Sequence, residues 1–435
     1  MTVTRQQILK TADEQRNEIL SNSLPYDNIP RECISSIESP VPQFARIITG
    51  IRRCGKSTFV CQDLKNRSEN SFYLNFDDPA LAEFDSSSFL ILDEAIKEFQ
   101  KIHGDSKELF FDEIQSIPNW EIYVNSKLQE GYLVTVTGSN ASLLSTELGT
   151  RLTGRHLDYE VFPFSFTEFC TLLKKDVSIE SFSEYLEKGG FPEFLLYKHY
   201  QILPRLFDDI LFRDIIVRYG IKDARSLRIL AVYLCSNCGN LVTGSKLSAQ
   251  LGLKTTATIL EYLSFLEQSY LFSFIPKFDY SPKAQSVNPK KVYSIDTGLI
   301  KSISLSSAKD FGRLFENAVF NKIRRETKNI WYYAEPGFEC DFLYGSSVVP
   351  EYAVQVCYEL NSENLEREAK GLAKTLKKFP GIKGKIVTLN QKDKISYNGQ
   401  LIEVVDALDF FYSRARDWSN CEAVHWSEVV TKGYG

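Results

Sequence analysis

The sequence predicts an α/β fold whose first part is a mainly parallel sheet with helices on both faces. Three observations predict it. From about residue 41 to 170, short apolar and partly β-branched runs alternate with helical stretches. One such run leads directly into Gly50-Ile51-Arg52-Arg53-Cys54-Gly55-Lys56-Ser57, a full match to the pattern G-x-x-x-x-G-K-[ST]. Another, Leu109-Phe110-Phe111, ends in the paired acids Asp112-Glu113.

Taken in order, residues 4–21 read as an amphipathic leading helix, ended by Asn22 to Pro25. Ala45 to Thr49 is the first strand, and Thr58 to Leu64 opens the next helix. Strand, glycine loop and helix together aim the loop's N–H groups at phosphate oxygens from a helix N-terminus. Gly50 and Gly55 let the backbone turn and approach a phosphate closely. Lys56 would reach the β- and γ-phosphates, and the Ser57 hydroxyl would ligate Mg²⁺. The candidate nucleotide-binding residues are therefore Gly50, Ile51, Arg52, Arg53, Cys54, Gly55, Lys56, Ser57 and Thr58.

Phe72 to Phe76 reads as the second strand, and Ile91 to His103 as a helix closed by Gly104-Asp105-Ser106. A third strand ending in Asp112 puts that carboxylate beside the Mg²⁺ that Ser57 would hold. Glu113, one residue on, is the candidate base for an attacking water. Leu133 to Val136 then runs into Thr137-Gly138-Ser139-Asn140, where Ser139 or Asn140 could bond the water or the γ-phosphate as a sensor. The same tip would also suit a turn into a helix with Asn140 or Ser142 as its N-cap. Arg151 and Arg155 follow, and an arginine can stabilise charge on a transferring phosphoryl group, in cis or from a neighbouring subunit. Arg155 is the candidate. Either arginine would equally serve as ordinary surface.

The chain has 435 residues, enough for two to four domains, and its 43% hydrophobic content suffices for ordinary cores. A net charge of −5 gives no global attraction to nucleic acid or anionic lipid. Nine cysteines without framework spacing suit a reducing cytosol. The pair Cys235 and Cys238 lacks a second pair, and His103, His156, His199 and His425 are not at ligand spacing, which argues against zinc. There is no apolar leader and no run of about 18 apolar residues, so a cytoplasmic protein without a membrane span is expected.

Phe164 to Lys175 and Ile179 to Glu187 read as helices, broken by Gly189-Gly190-Phe191-Pro192, and from about 202 helices dominate. Gly244 to Leu253 followed by Lys254 to Leu263 resembles a helix-turn-helix with Gly252 in its turn. Leu271 to Phe278 and Lys290 to Ile295 read as two strands around a Pro/Lys loop, a wing. Residues 204–300 hold twelve Lys/Arg against eight Asp/Glu, a local charge of +4. Lys246, Lys254, Lys277, Lys283, Lys290 and Lys291, with Thr255, Thr256 and Thr258, are the candidate phosphate contacts if 245–291 binds DNA.

From 309 the order is helix (Arg313 to Glu326), strands near Trp331, Cys340 and Tyr352, helix (Glu363 to Lys378) and strand (Lys385 to Leu389). That is the order of restriction-endonuclease-like cores. Glu316 and Asp341 could be the acids, but Cys357 stands where a catalytic lysine is required. A thiol cannot replace an ammonium that stabilises developing negative charge, so a degenerate nuclease-like domain is expected. The expected division is 1–200 for the sheet core with its helical extension, 201–305 for the winged-helix part, 306–412 for the nuclease-like part, and 413–435 as a tail.

With these motifs, the chain resembles the AAA+-type P-loop ATPases of bacteria and archaea that carry a C-terminal domain of unknown function. The resemblance rests on Gly50 to Thr58, Phe111-Asp112-Glu113-Ile114-Gln115, Thr137-Gly138-Ser139-Asn140 and Gly154-Arg155. It extends to Phe162 to Phe169, Gly189-Gly190-Phe191-Pro192-Glu193, Lys291 to Leu299, Phe315-Glu316-Asn317 and Gln355-Val356-Cys357. It implies an AAA-like core that binds ATP and Mg²⁺ through Lys56, Ser57 and Asp112, with Glu113 on the water and Asn140 as sensor. It implies no known substrate.

Two functions compete. The first is an ATPase, possible as a homo-oligomer, whose nucleotide state acts on a macromolecular partner. The second is a nucleic-acid-binding protein regulated by ATP. A GTPase would need an N-K-x-D motif, which Asn390-Gln391-Lys392-Asp393 only scrambles, and a metabolic kinase would not need Glu113 beside Asp112.

Overall fold

The computed structural model describes residues 3–21, 29–32, 41–67, 70–140, 154–252, 255–305 and 311–412. Arg151, Ser142, Lys254 and the 413–435 tail lie outside the described residues. The chain forms two compact units, 1–176 with 183–321, and 177–182 with 322–435.

The first unit is built on five parallel strands: β1 (Ala45–Thr49), β2 (Phe72–Asn75), β3 (Glu108–Asp112), β4 (Leu133–Gly138) and β5 (His156–Glu160). Their order in the sheet is β2-β3-β4-β1-β5. All the pairings are parallel, so the chain must cross back to the same end of the sheet between successive strands. Helices Lys56–Arg67, Phe89–His103 and Trp120–Gln129 provide crossovers, and the leading helix is Arg5–Leu20, N-capped by Thr4. The pairs Thr49↔Gly138 and Phe111↔Val136 bring the ends of β1, β3 and β4 together. The three sequence motifs leave the sheet there.

Because β1 is flanked by β4 and β5 and covered on both faces, every one of its residues is buried. Ile47 enters a core with Phe72, Leu74, Phe111 and Val136 on one face. Ile48 enters a second core with Ile51, Phe59 and Val161 on the other, and this second core continues through Phe207, Leu230, Ile259 and Leu299. Residues 201–305 therefore share the core of the sheet's second face. At about 1.5–3 kcal/mol for each large apolar side chain buried, that shared layer is a main source of cohesion.

In the helical part, Ile202–Asp209 continues as a π-helical turn, Ile210–Val217, followed by helices Ala224–Ser236, Gly244–Leu251 and Thr256–Gln268. Gly252 ends the second of these with a φ of 62°, as the turn requires. Three short antiparallel strands, β6 (Leu241–Val242), β7 (Phe272–Ile275) and β8 (Lys290–Ser294), pair in the order β6-β8-β7. Lys291 is not available to a phosphate as the sequence suggested. Its place on β8 turns it inward, where it is 3% exposed and pairs with Glu316 at 3.3 Å.

The second unit holds six strands: β9 (Ile330–Glu335), β10 (Phe338–Tyr344), β11 (Tyr352–Val356), β12 (Lys383–Thr388), β13 (Asp393–Tyr397) and β14 (Gln400–Asp406). They are ordered β13-β14-β12-β11-β10-β9. Helix Leu365–Lys378 connects β11 to its parallel neighbour β12. Asp341 accepts the Val356 N–H at 2.9 Å, and Gln355 donates to Glu368 at 2.7 Å. Glu316 belongs to the first unit, where it accepts from the Tyr293 hydroxyl at 2.6 Å, so its carboxylate is committed to Tyr293 and Lys291. Burial pushes the Cys357 thiol up to about 11, and it donates to the Glu359 carbonyl at 3.2 Å.

Candidate functional site

The loop from Gly50 to Gly55 depends on the glycines at its two ends. Gly50 has φ 146°, and a Cβ there would stand 2.1 Å from the Val161 carbonyl oxygen. Gly55 has φ 98°, and Arg53 also takes a positive φ of 61°. The loop is closed by Cys54, whose thiol donates to the Val161 carbonyl at 3.2 Å. Helix Lys56–Arg67 starts directly after it, and the N–H groups of a first helical turn lack intrahelical acceptors.

Arg31, which sequence reasoning passed over, braces this loop from outside. Its guanidinium is buried and donates to the Cys54 carbonyl at 2.9 Å, the Phe162 carbonyl at 2.5 Å and Glu168 at 3.0 Å. Glu168 is also the N3 member of a capping box with Ser165. The Phe162 to Phe169 motif is thus a buttress for the loop. No local pattern marks a lone arginine at 31 for this role.

Asp112 is fully buried at the end of β3 and is held by three hydroxyls. Tyr73 donates to its Oδ2 at 2.8 Å, Thr137 donates to its Oδ1, and Ser57 bonds it as well. Burial and the adjacent Glu113 hold its carboxyl above the ordinary range, against the pull of those hydroxyls. Glu113 takes a left-handed φ of 54°, its N–H donates to Thr137 Oγ1 at 2.9 Å, and Gln115 donates to its carboxylate.

Lys56 is buried, donates to the Ile51 carbonyl at 3.2 Å and lies 3.7 Å from Glu113. Burial alone would lower its pKa, but Glu113, Cys54, Asp112 and Asp214 together raise it, so the ammonium stays charged. The structure thus brings together Lys56, Ser57, Asp112 and Glu113.

Asn140 is fully buried and donates to the Tyr219 hydroxyl at 3.3 Å; Tyr219 in turn donates to Gln268 at 2.6 Å. Arg52 makes a fork with Asp214, both bonds 2.9 Å, while the exposed Arg53 pairs with Glu193 and Asp209. Arg155 stands apart. It is exposed at the start of β5, its carbonyl accepting from the Ala45 N–H at 3.0 Å. At about 3.3 Å per strand residue it lies roughly 15 Å from the loop end of β1. It does not reach the phosphate loop of its own chain.

Residues 43–170 match the family model described as an AAA domain, and residues 179–310 match a domain of unknown function, DUF8612. An uncharacterized protein of Methanocaldococcus jannaschii is 33% identical over 399 residues, spanning 84% of this chain and 87% of its own. An uncharacterized protein of Haemophilus influenzae is 31% identical over 352 residues, 75% of this chain and 85% of its own. Among solved structures, Cdc6p from Pyrobaculum aerophilum aligns with 70% of this chain and 94% of its own at 12% identity. Its TM-score of 0.28 is too loose a likeness to extend the assignment. The chain belongs to the family that these two uncharacterized proteins represent, and within it residues 43–170 form an AAA domain.

Proposed function

We propose that the protein is an ATPase whose nucleotide state acts on a macromolecular partner. The observation that carries this reading is the convergence of Lys56, Ser57, Asp112 and Glu113 on one edge of the parallel sheet, below a loop shaped by Gly50 and Gly55. The donor set fits the group. Ser57 and Asp112 are hard oxygen ligands of the kind Mg²⁺ takes, and the loop and first helical turn offer N–H groups to phosphate. When bound, Mg²⁺ would neutralise charge on the β- and γ-oxygens.

In this reading Lys56 binds the terminal phosphates and Ser57 and Asp112 hold the metal. Glu113 accepts a proton from water, held in its strained backbone turn through Thr137. Asn140 is the sensor, and its bond to Tyr219 gives the helical part a contact with the strand tip. Arg155 would act on the site of a neighbouring copy in a homo-oligomer, since it is exposed and remote from its own loop.

The order of helices and strands from 224 to 294 supports a winged-helix reading for that stretch, and a protein partner suits it better than DNA. The exposed face of helix Thr256–Gln268 carries Thr256, Ala257, Leu260, Glu261, Ser264 and Glu267, with no basic side chain. Phosphate-tracking helices need Lys or Arg there. In the second unit the commitments of Asp341 and Cys357 support a structural rather than nuclease role.

ATP binding and turnover of the wild type against Lys56→Ala tests the proposal. A loss of about tenfold or more in affinity is expected, from one charge-assisted contact worth about 1.5–3 kcal/mol. Equal binding and turnover in both proteins would remove the assignment.

A further inference from the structure

Asp214 lies outside every motif read from the sequence, yet it stands where several of them meet. It sits on the π-helical turn Ile210–Val217 and is 3% exposed. Both its oxygens are taken by the Arg52 fork, at 2.9 Å each, and the Ser139 hydroxyl at the tip of β4 is 3.5 Å from Oδ1. Its charge is also felt by Lys56 and by the exposed Asp77, whose charged form Glu113 further disfavours. One buried carboxylate thus engages the loop arginine and the strand tip, within electrostatic reach of the loop lysine.

We infer that Asp214 sets the preference between nucleoside triphosphate and diphosphate, acting as a resident anion that a γ-phosphate must displace from Arg52. This rests on the nucleotide reading above. A guanidinium fork pairs equally well, in geometry, with a carboxylate or a phosphate. A lysine of this motif spans the β- and γ-phosphates, so the γ end lies toward the groups that Asp214 already engages. Two anions sharing the same cations in a buried place repel strongly. A diphosphate leaves the Arg52–Asp214 pair intact, whereas a triphosphate takes Arg52 and drives the carboxylate away.

The turn that carries Asp214 is suited to such movement. A π-turn is an irregular, wide insertion in a helix and recurs at functional sites. Ile210, Leu211 and Ile215 seat it in the shared core by apolar contact, which is not directional and tolerates a shift better than an ion pair does. Ile202–Asp209 runs straight into the turn, so displacement of Asp214 would be carried into the helical part.

The test compares Asp214→Asn with the wild type by calorimetric titration of ADP and of the β,γ-imido analogue of ATP, both with Mg²⁺. The amide keeps the shape and removes the charge. Affinity for the analogue should rise about tenfold while ADP changes less than about threefold. An equal loss for both ligands would make Asp214 a mere prop of the loop and overturn the inference, as would no change in either. Hydrogen exchange of the wild type across 210–217 needs no variant. It should be faster with the analogue than with ADP, and equal exchange with the two ligands would also overturn it. Wild type that binds neither nucleotide would instead remove the nucleotide reading itself, and the inference with it.

Discussion

Tyr73 donates a 2.8 Å hydrogen bond to Asp112 across the neighbouring strands β2 and β3, deep in the sheet and out of reach of solvent. Burial first, and then the Asp112 charge, hold the Tyr73 hydroxyl well above its ordinary pKa, so it remains a donor throughout the working range. Removing it with Tyr73→Phe leaves Oδ2 of a buried carboxylate short of a partner. A hydrogen bond to a charged group is worth about 1.5–3 kcal/mol, and a loss of that order is expected in chemical unfolding. Mg²⁺-dependent nucleotide binding should weaken with it. A variant as stable as the wild type, with the same Mg²⁺ requirement, would show that Thr137 and Ser57 orient Asp112 unaided.

Glu113→Gln separates binding from chemistry. The amide keeps the size of the side chain but cannot accept a proton from water, so hydrolysis should slow by about 10²-fold or more. Nucleotide affinity should hold, because Ser57 and Asp112 are untouched. Single-turnover rates and equilibrium binding read the two effects separately. Normal hydrolysis in Glu113→Gln would return Glu113 to the status of a strand-end acid.

Arg155 offers a complementation experiment. Arg155→Ala and Glu113→Gln should each be nearly inactive alone, while a mixture should regain activity, because an intact base in one copy meets an intact arginine from another. A mixture no more active than its parts would remove the arginine from the mechanism.

Gly190 is tested through stability. A Cβ there would stand 2.1 Å from the Phe164 carbonyl oxygen, in backbone that cannot retreat because Phe164 N–H donates to Gly190 at 2.7 Å. Gly190→Ala should cost about 1–3 kcal/mol or more in urea unfolding. Gly131 is the control: it has φ 84° and nothing within 4 Å, so Gly131→Ala meets backbone strain alone, about 1–2 kcal/mol.

Cys357 carries a pH prediction. With the thiol pushed up to about 11, the reactive thiolate is scarce at neutral pH and grows as pH rises. Site-resolved maleimide labelling at pH about 8 should run about two-hundredfold slower than for an unperturbed cysteine of pKa near 8.5. Its rate should climb about tenfold per pH unit. Fast labelling at pH about 7 would contradict the buried geometry.

The loop, the two acids and the strand tip were legible in the sequence because each is a local pattern with a fixed offset from a strand. The helix pair around Gly252 was legible for the same reason. Partners distant in the chain were not: Arg31 reaches Cys54 and Phe162, and Asp214 reaches Arg52, with nothing nearby to announce either. Lys291 misled because a charge count carries no direction, whereas strand alternation turned it toward Glu316. The hairpin of β13 and β14 went unread although Asn398-Gly399 spells its turn, with φ of 50° and 78° at the two residues.

The core shared by Ile48, Phe59 and Val161 with Phe207, Leu230, Ile259 and Leu299 bears on how the protein can be divided. A fragment ending near residue 200 keeps the whole phosphate loop but strips the covering from one side of its sheet. What remains is a broad apolar surface facing water, and such surfaces drive aggregation. The shortest fragment that retains its own covering runs through Leu299, so an amino-terminal piece cut at the family-domain limit of 170 would be recovered as aggregate rather than as an isolated folded domain.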